Sequence, residues 1–251
     1  MKKISLLLFG ILLLMSCSSQ LAVQSGSTEQ PVKPASPANW YSQGKSTGDP
    51  VRKIDNFSKA IAAKPDYALA YLERARAYLK IGNYQQAIAD IDTLLKINPD
   101  IADAYVVRAK AYEATRYLND ALKDYSKSIE LNPNPQTYLE RANLYKQRKR
   151  YSKAIMDYTE VLKEVTGNAD VYVARGVCYQ ELNQLDAAIS DYKKAIELQP
   201  NNADLYYNLG SIYWVQQRWQ DVVDVWEKCL ELDPNHSRVK QYLPTVKRKL
   251  R

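Results

Sequence analysis

Histidine is nearly absent from this chain: His236 is the only one in 251 residues. With no second histidine, no paired Cys/His cluster and no glycine-rich phosphate loop, most metal, nucleophile and phosphate-binding chemistries lack residues to carry them. Cysteine is sparse as well. Cys17, Cys178 and Cys229 form an odd, widely spaced set, unlike the dense even sets of disulfide scaffolds. Acidic residues are missing from the last segment, where Arg238, Lys240, Lys247, Arg248, Lys249 and Arg251 stand alone. Those six, with Lys2 and Lys3, account for the formal charge of +7, since without them 27 basic residues face 28 acidic ones. A neutral body supplies no phosphate-tracking surface, so nucleic acid is not an expected partner. Carboxylate pairs such as Asp186/Asp191 and Glu160/Glu164 fall on exposed helix faces with no implied pocket. The chain therefore reads as non-enzymatic, with no catalytic residue, metal or cofactor.

What the chain does have is an internal period of about 34 residues, the sign of a repeat array rather than a compact domain. With Ala169 as the first position of one copy, Tyr172, Arg175, Gly176, Tyr179, Ala188, Tyr192, Ala195 and Pro200 fall at the marked positions. The pattern resembles the tetratricopeptide repeat, W-x2-L-G-x2-Y followed by A-x3-F, A and P. The resemblance implies an all-α, right-handed superhelical solenoid of helix-turn-helix repeats that binds proteins or peptides on its concave face. Five units are expected, over 68–99, 102–133, 135–166, 169–200 and 203–234. Residues 39–65 read as a degenerate amino-terminal cap unit, whose first helix is interrupted by Thr47-Gly48-Asp49-Pro50 and poorly formed. Residues 236–251 read as a basic capping helix started by Ser237 and kinked or split by Pro244.

Position four (Tyr71, Tyr105, Tyr138, Tyr172, Tyr206) and position eleven (Tyr78, Tyr112, Tyr145, Tyr179, Tyr213) lie nearly two turns apart and share an interior face. Most of the 20 tyrosines are thus explained by packing, and no base-stacking platform is needed. Small residues at position eight, Ala75, Ala109, Ala142, Gly176 and Gly210, let the second helix approach. Asn98-Pro99, Asn132-Pro133, Gln199-Pro200 and Asp233-Pro234 end second helices. In unit three a left-handed Gly167 takes that role. Arg74, Arg108, Arg141 and Arg175 at position seven accompany Asp90, Asp124, Asp157 and Asp191 at position 23, and both change together to Leu209 and Val225 in unit five. This reads as a structural ion pair in each of four units, worth about 1 kcal/mol or less if exposed.

The leader MKKISLLLFGILLLMSCSSQ has a basic start, an apolar run from Ile4 to Met15 and small residues after it, the layout of a secretory signal. The run is too short to span a bilayer, which takes about 20 residues. Leu14-Met15-Ser16-Cys17 resembles a bacterial lipobox. That resemblance implies removal of 1–16 and acylation of Cys17 with chains such as palmitate. An ordinary signal peptide with a chance cysteine is the alternative. Ser18 in place of an aspartate favours the outer membrane in a cell with two membranes. Residues 17–38 then form the lipidated cysteine and a Ser/Gln/Pro-rich tether, holding the array on the order of 25 Å from the surface.

In the tetratricopeptide family, ligands lie along the first helices at positions two, five, six, nine, twelve and thirteen. Carried over, Arg76, Lys110 and Asn143 belong to a mixed polar early wall, and Val173, Val177, Tyr207, Asn208, Ser211 and Trp214 to an apolar later one. The lysine and asparagine clamp of the chaperone-cofactor members is not rebuilt, since Leu72, Val106, Leu139, Val173 and Tyr207 hold the fifth position. Tyr207 and Trp214, seven apart and outside the core pattern, are the leading contact residues. The competing readings are that the basic terminal helix folds back over them or that they bury in a homodimer. Cys178 and Cys229 read as buried thiols. The function expected is a membrane-anchored interaction scaffold of the bacterial cell envelope, on the periplasmic face of the outer membrane. The alternative is a surface-exposed adhesin or host-interaction lipoprotein.

Overall fold

The computed structural model describes residues 36–250, so Cys17, the signal and most of the tether lie outside the described residues. Thirteen α-helices follow one another there. The cap unit is α1 (Pro37–Ser46) with α2 (Pro50–Ala63). Unit one is α3 (Ala68–Lys80) with α4 (Tyr84–Ile97), unit two α5 (Ala102–Ala114) with α6 (Leu118–Leu131), and unit three α7 (Pro135–Gln147) with α8 (Tyr151–Glu164). Unit four is α9 (Ala169–Glu181) with α10 (Leu185–Leu198), unit five α11 (Ala203–Val215) with α12 (Trp219–Leu232), and α13 (Ser237–Lys249) closes the chain. Each helix packs against its sequence neighbours, as a stacked array requires.

The first helix of the cap unit is better formed than its sequence suggests. Ser36 Oγ accepts the Asn39 N–H at 3.2 Å and Pro37 takes the first turn, where its missing N–H costs nothing. Thr47-Gly48-Asp49 follows the helix instead of breaking it, and Asp49 caps α2 by accepting the Val51 N–H at 2.9 Å. The missing residues shorten α1 by about a turn and leave it intact.

Within every full unit the chain reverses through a left-handed residue at position fifteen: Gly82, Arg116, Lys149, Asn183 and Gln217. The next N–H donates back to the carbonyl of the position-eleven tyrosine at 2.8–2.9 Å. This six-to-one bond closes the first helix in a Schellman turn. Only one of the five is glycine, so four units bear a cost of about 1 kcal/mol for the left-handed conformation. Gly167, by contrast, does not adopt positive φ. Helix α8 ends at Val165 with φ −121° and ψ 72°, an extended-side exit like those before proline in the other units.

The core is built where position eight meets position 24. Tyr125, Tyr158, Tyr192 and Trp226 are 0–3% exposed. Ring size and facing residue are matched: a Cβ on Gly176 would meet Tyr192 at 3.5 Å, ordinary contact, whereas one on Gly210 would fall 2.2 Å from Trp226 Nε1. Burial raises the phenol pKa of Tyr125, Tyr158 and Tyr192 above the usual 10.0, the last to about 12. The fold therefore holds these rings protonated. Their contribution is complete below about pH 10 and lost as pH rises through the folded values, at about 4 kcal/mol per pH unit for the three together. Alkaline titration should show a last fraction of the tyrosinate absorbance, about three of the 20 phenols, appearing only in step with loss of helical circular dichroism, after the solvent-exposed rings have ionised. Complete tyrosinate formation before unfolding would show the three rings to be wet.

Among the described residues one buried side-chain polar atom is unsatisfied. Ser128 Oγ, fully buried, has no hydrogen-bond partner, at a position held elsewhere by Leu94, Val161, Ala195 and Cys229. Ser128→Ala should raise stability by about 1 kcal/mol in urea denaturation, because it removes a stranded hydroxyl.

The Arg/Asp pairs are bidentate and lie inside. Arg74 donates to both oxygens of Asp90 at 2.8 and 2.6 Å, and Arg108/Asp124, Arg141/Asp157 and Arg175/Asp191 repeat the geometry. Each guanidinium also lies between the tyrosines of positions four and eleven, 5.7–5.9 Å from the ring centres. Those tyrosines, half-buried, thus sandwich a cation rather than fill an apolar layer. The remaining guanidinium nitrogen reaches the second helix of the preceding unit, at Ser58, Asp92, Ser126 and Thr159. Every arginine therefore ties three helices and two units together. The aspartates are 3–6% exposed, which takes the pairs out of the weak surface class. At Asp124 burial costs the anion more than Arg108 returns, and its pKa goes up.

Helix α13 buries Val239, Leu243 and Val246 against the last unit. It is a single helix running through Pro244, not a split one, and His236 caps it instead of Ser237, with Nδ1 accepting the Val239 N–H at 3.3 Å.

Candidate partner-binding face

The early polar wall is paired with itself. Arg76 donates to Glu73 at 2.8 Å and across the unit boundary to Asp103 at 2.7 Å, Lys45 reaches Glu73 at 3.2 Å, and Lys110 reaches Glu140 at 2.9 Å. Asn143 Oδ1 accepts the Tyr158 hydroxyl at 2.7 Å, and Glu113 accepts that of Tyr125 at 3.1 Å. Arg76 and Lys110 do line a common hollow with Leu79, Asp103 and Val106, yet a ligand entering it must compete with carboxylates already in place. The Arg76/Asp103 and Lys110/Glu140 pairs are solvent-accessible and individually weak, so competition for them is cheap but unselective.

Unit five is different. Tyr207, Ser211 and Trp214 come together in a cleft of about 270 Å³ completed by Trp226 from α12 and Tyr242 from α13. Trp226 is stacked between the other two rings, 6.0 Å from Tyr207 and 5.6 Å from Trp214, and its indole N–H donates to the Tyr207 carbonyl at 3.2 Å. Ser211 Oγ donates to the same carbonyl at 2.9 Å. Tyr242 meets Trp214 edge-on at 6.1 Å. Of the readings weighed for Tyr207 and Trp214, the fold-back of the terminal helix is the one seen: α13 lies along both rings and leaves them half-buried. His236 packs on Tyr207 at 4.8 Å, Arg238 lies over that ring at 5.8 Å, and Lys249 lies 4.1 Å over Trp219, which in turn abuts Trp214.

Asn208 falls in a neighbouring polar hollow with Asp204, Asp233 and His236, while Val173 and Val177 pack against the terminal core. Sequence reasoning missed Trp226 and Tyr242. Trp226 was hidden by standing at a core position, and Tyr242 by belonging to a helix read only as a cap. The carboxylates expected on exposed faces are also otherwise engaged: Asp191 is buried on Arg175, and Glu160 pairs with Lys163 at 2.8 Å. Burial pushes the Cys178 and Cys229 thiols up to about 11, which leaves them unreactive.

Stacked antiparallel helix pairs with a ligand-sized cleft on the first-helix face define a helical repeat protein of the solenoid class. Tetratricopeptide repeat family models match residues 54–100, 72–134, 135–164 and 203–236, and a TPR repeat model matches 178–217. The chain is a tetratricopeptide-repeat solenoid. Among solved structures, YrrB, described as a TPR protein with an unusual peptide-binding site, matches at TM-score 0.68 and 19% identity over 75% of this chain and 97% of its own. A MamA structure matches at TM-score 0.60 and 22% identity, covering 67% of this chain and 94% of its own. MamA 41-end from Desulfovibrio magneticus RS-1 gives TM-score 0.60 and 18% identity over 68% and 97%. No curated protein matches the sequence.

Proposed function

We propose that this protein is a non-enzymatic scaffold of the bacterial cell envelope, anchored through lipid on Cys17, that holds a protein partner against its first-helix face. The observation that carries the binding role is the aromatic cleft of unit five. Aromatic side chains lining a groove are typical interface anchors, and here Tyr207 and Trp214 take the places held in earlier units by Leu72 and Val106 at position five and by Leu79 and Glu113 at position twelve. The anchor rests on the order basic start, apolar run and Leu14-Met15-Ser16-Cys17. Among the described residues no helix is long and apolar enough to cross a membrane, so attachment is assigned to the leader. Ser18 in place of an aspartate favours the outer membrane, and the periplasmic face is the side taken in this reading.

The test uses the full chain expressed in a bacterium with two membranes. Cys17→Ser should abolish palmitate incorporation and release the protein from the membrane fraction. Ser211→Trp, which fills the cleft without removing a core ring, should lose a partner captured by the unmodified protein from a detergent extract. Unchanged capture by Ser211→Trp would move the site out of unit five. Cleavage by protease on intact cells would put the array on the outer surface instead, and capture of the protein itself as the lost partner would make the cleft a dimer contact.

A further inference from the structure

The cleft of unit five has a size and a charge setting that specify its occupant further. At about 270 Å³ it lies just below the volume of sites that enclose whole small molecules. It suits one bulky side chain. Its walls are Tyr207, Trp214, Trp226 and Tyr242, which offer ring faces and edges and only one hydroxyl-bearing aliphatic side chain, Ser211, already bonded to a backbone carbonyl. An apolar anchor, aromatic or branched, is therefore the complementary group.

The two ends of the cleft carry cations. Arg238 lies over Tyr207 and Lys249 over Trp219 beside Trp214, and Tyr207 and Trp214 are about 10 Å apart along α11. Among the described residues no carboxylate lies within salt-bridge distance of either cation. Lys247, by contrast, is paired with Glu227 at 2.6 Å. Cation–π contact holds Arg238 and Lys249 over the rings without neutralising them. Asp204 and Asp233 share the hollow beyond Tyr207 with Arg238, so the field is stronger at the Lys249 end, where Arg248 adjoins and Glu227 offsets only Lys247. A basic ligand would face repulsion there.

We infer that the cleft takes an acidic peptide segment of a partner protein, with one bulky apolar residue seated among the rings and carboxylates flanking it toward Arg238 and Lys249. This rests on the scaffold reading above and adds the chemical class of the partner. The probe is a fluorescein-labelled peptide of glutamates and aspartates around one phenylalanine, titrated by anisotropy into the full chain in detergent. Saturable binding is expected, weakened by salt as an electrostatic rim requires. Alanine in place of the phenylalanine should weaken it about tenfold. So should Arg238→Glu/Lys249→Glu, a reversal at two exposed side chains that leaves the buried Val239, Leu243 and Val246 contacts of α13 in place, with unchanged helical circular dichroism as the check on folding. Equal affinity for a lysine-flanked peptide, or no effect of the charge reversal, would overturn the assignment. Phosphatidylglycerol vesicles that displace the peptide would overturn it in favour of a lipid headgroup. If the acidic probe fails while capture still depends on Ser211, the scaffold reading stands and only the acidic class is wrong. If both fail, the cleft is not the binding site.

Discussion

Replacing Arg141 with leucine is expected to lower stability by about 3–5 kcal/mol, because it strands the Asp157 carboxylate in the interior without a counter-charge. Arg141 donates to both Asp157 oxygens at 2.8 Å and to Ser126 of the preceding unit at 2.8 Å, so its loss also uncouples units two and three. Asp157→Val alone should cost less. The guanidinium it leaves is 16% exposed, against 6% for the carboxylate, and keeps a path to water. The double variant Arg141→Leu/Asp157→Val copies what Leu209 and Val225 do in unit five and should return to within about 1 kcal/mol of the unmodified protein. Urea denaturation of all four forms gives the cycle directly. A single-variant cost under about 1 kcal/mol would mean that the pair is solvated and contributes as a surface pair does.

Gly210→Ala should be as damaging, by about 3 kcal/mol or more, at the upper end of overpacking costs. The added Cβ would lie 2.2 Å from Trp226 Nε1, 2.4 Å from Cδ1 and 2.9 Å from Val225 Cγ2, so α12 must move or Trp226 must leave its place. Either response breaks the Trp226 bond to the Tyr207 carbonyl and opens the cleft. Near-ultraviolet circular dichroism and tryptophan emission should both change. The same substitution at Gly176 should cost little, since the nearest atom there is Asp191 Cβ at 3.4 Å. Pairing Gly210→Ala with Trp226→Tyr should recover much of the loss, because unit three already packs Ala142 against a tyrosine at that position. Equal effects at Gly176 and Gly210 would show that helix propensity, not contact, sets the cost.

Much of this was legible in the sequence because a repeat supplies its own internal comparison. The joint change of Arg/Asp to Leu/Val identified the ion pair without coordinates. The third partner of each arginine escaped notice, since Ser58, Asp92, Ser126 and Thr159 share hydrogen-bonding capacity rather than identity. The left-handed turns were equally hidden: glycine marks only Gly82, and Arg116, Lys149 and Gln217 take the conformation because the flanking helices impose it. Gly167 misled for the opposite reason, as a glycine that permits positive φ does not demand it. The site was only half legible. Tyr207, Ser211 and Trp214 follow from position along the first helix, but Trp226 and Tyr242 enter the cleft through long-range packing of α12 and α13 that no local pattern encodes.

The decisive measurement is site-specific photocrosslinking in living cells, with a benzoyl-phenylalanine at Tyr242 in the full chain and, as control, at Met156. Tyr242 is 43% exposed and lines the cleft; Met156 is 67% exposed on α8 and lines none of the hollows described above. A discrete crosslinked protein from position 242, absent from 156 and suppressed by Ser211→Trp, is the expected result. Matching adducts from both positions, or none from 242 while 156 reacts, would contradict a partner site in unit five.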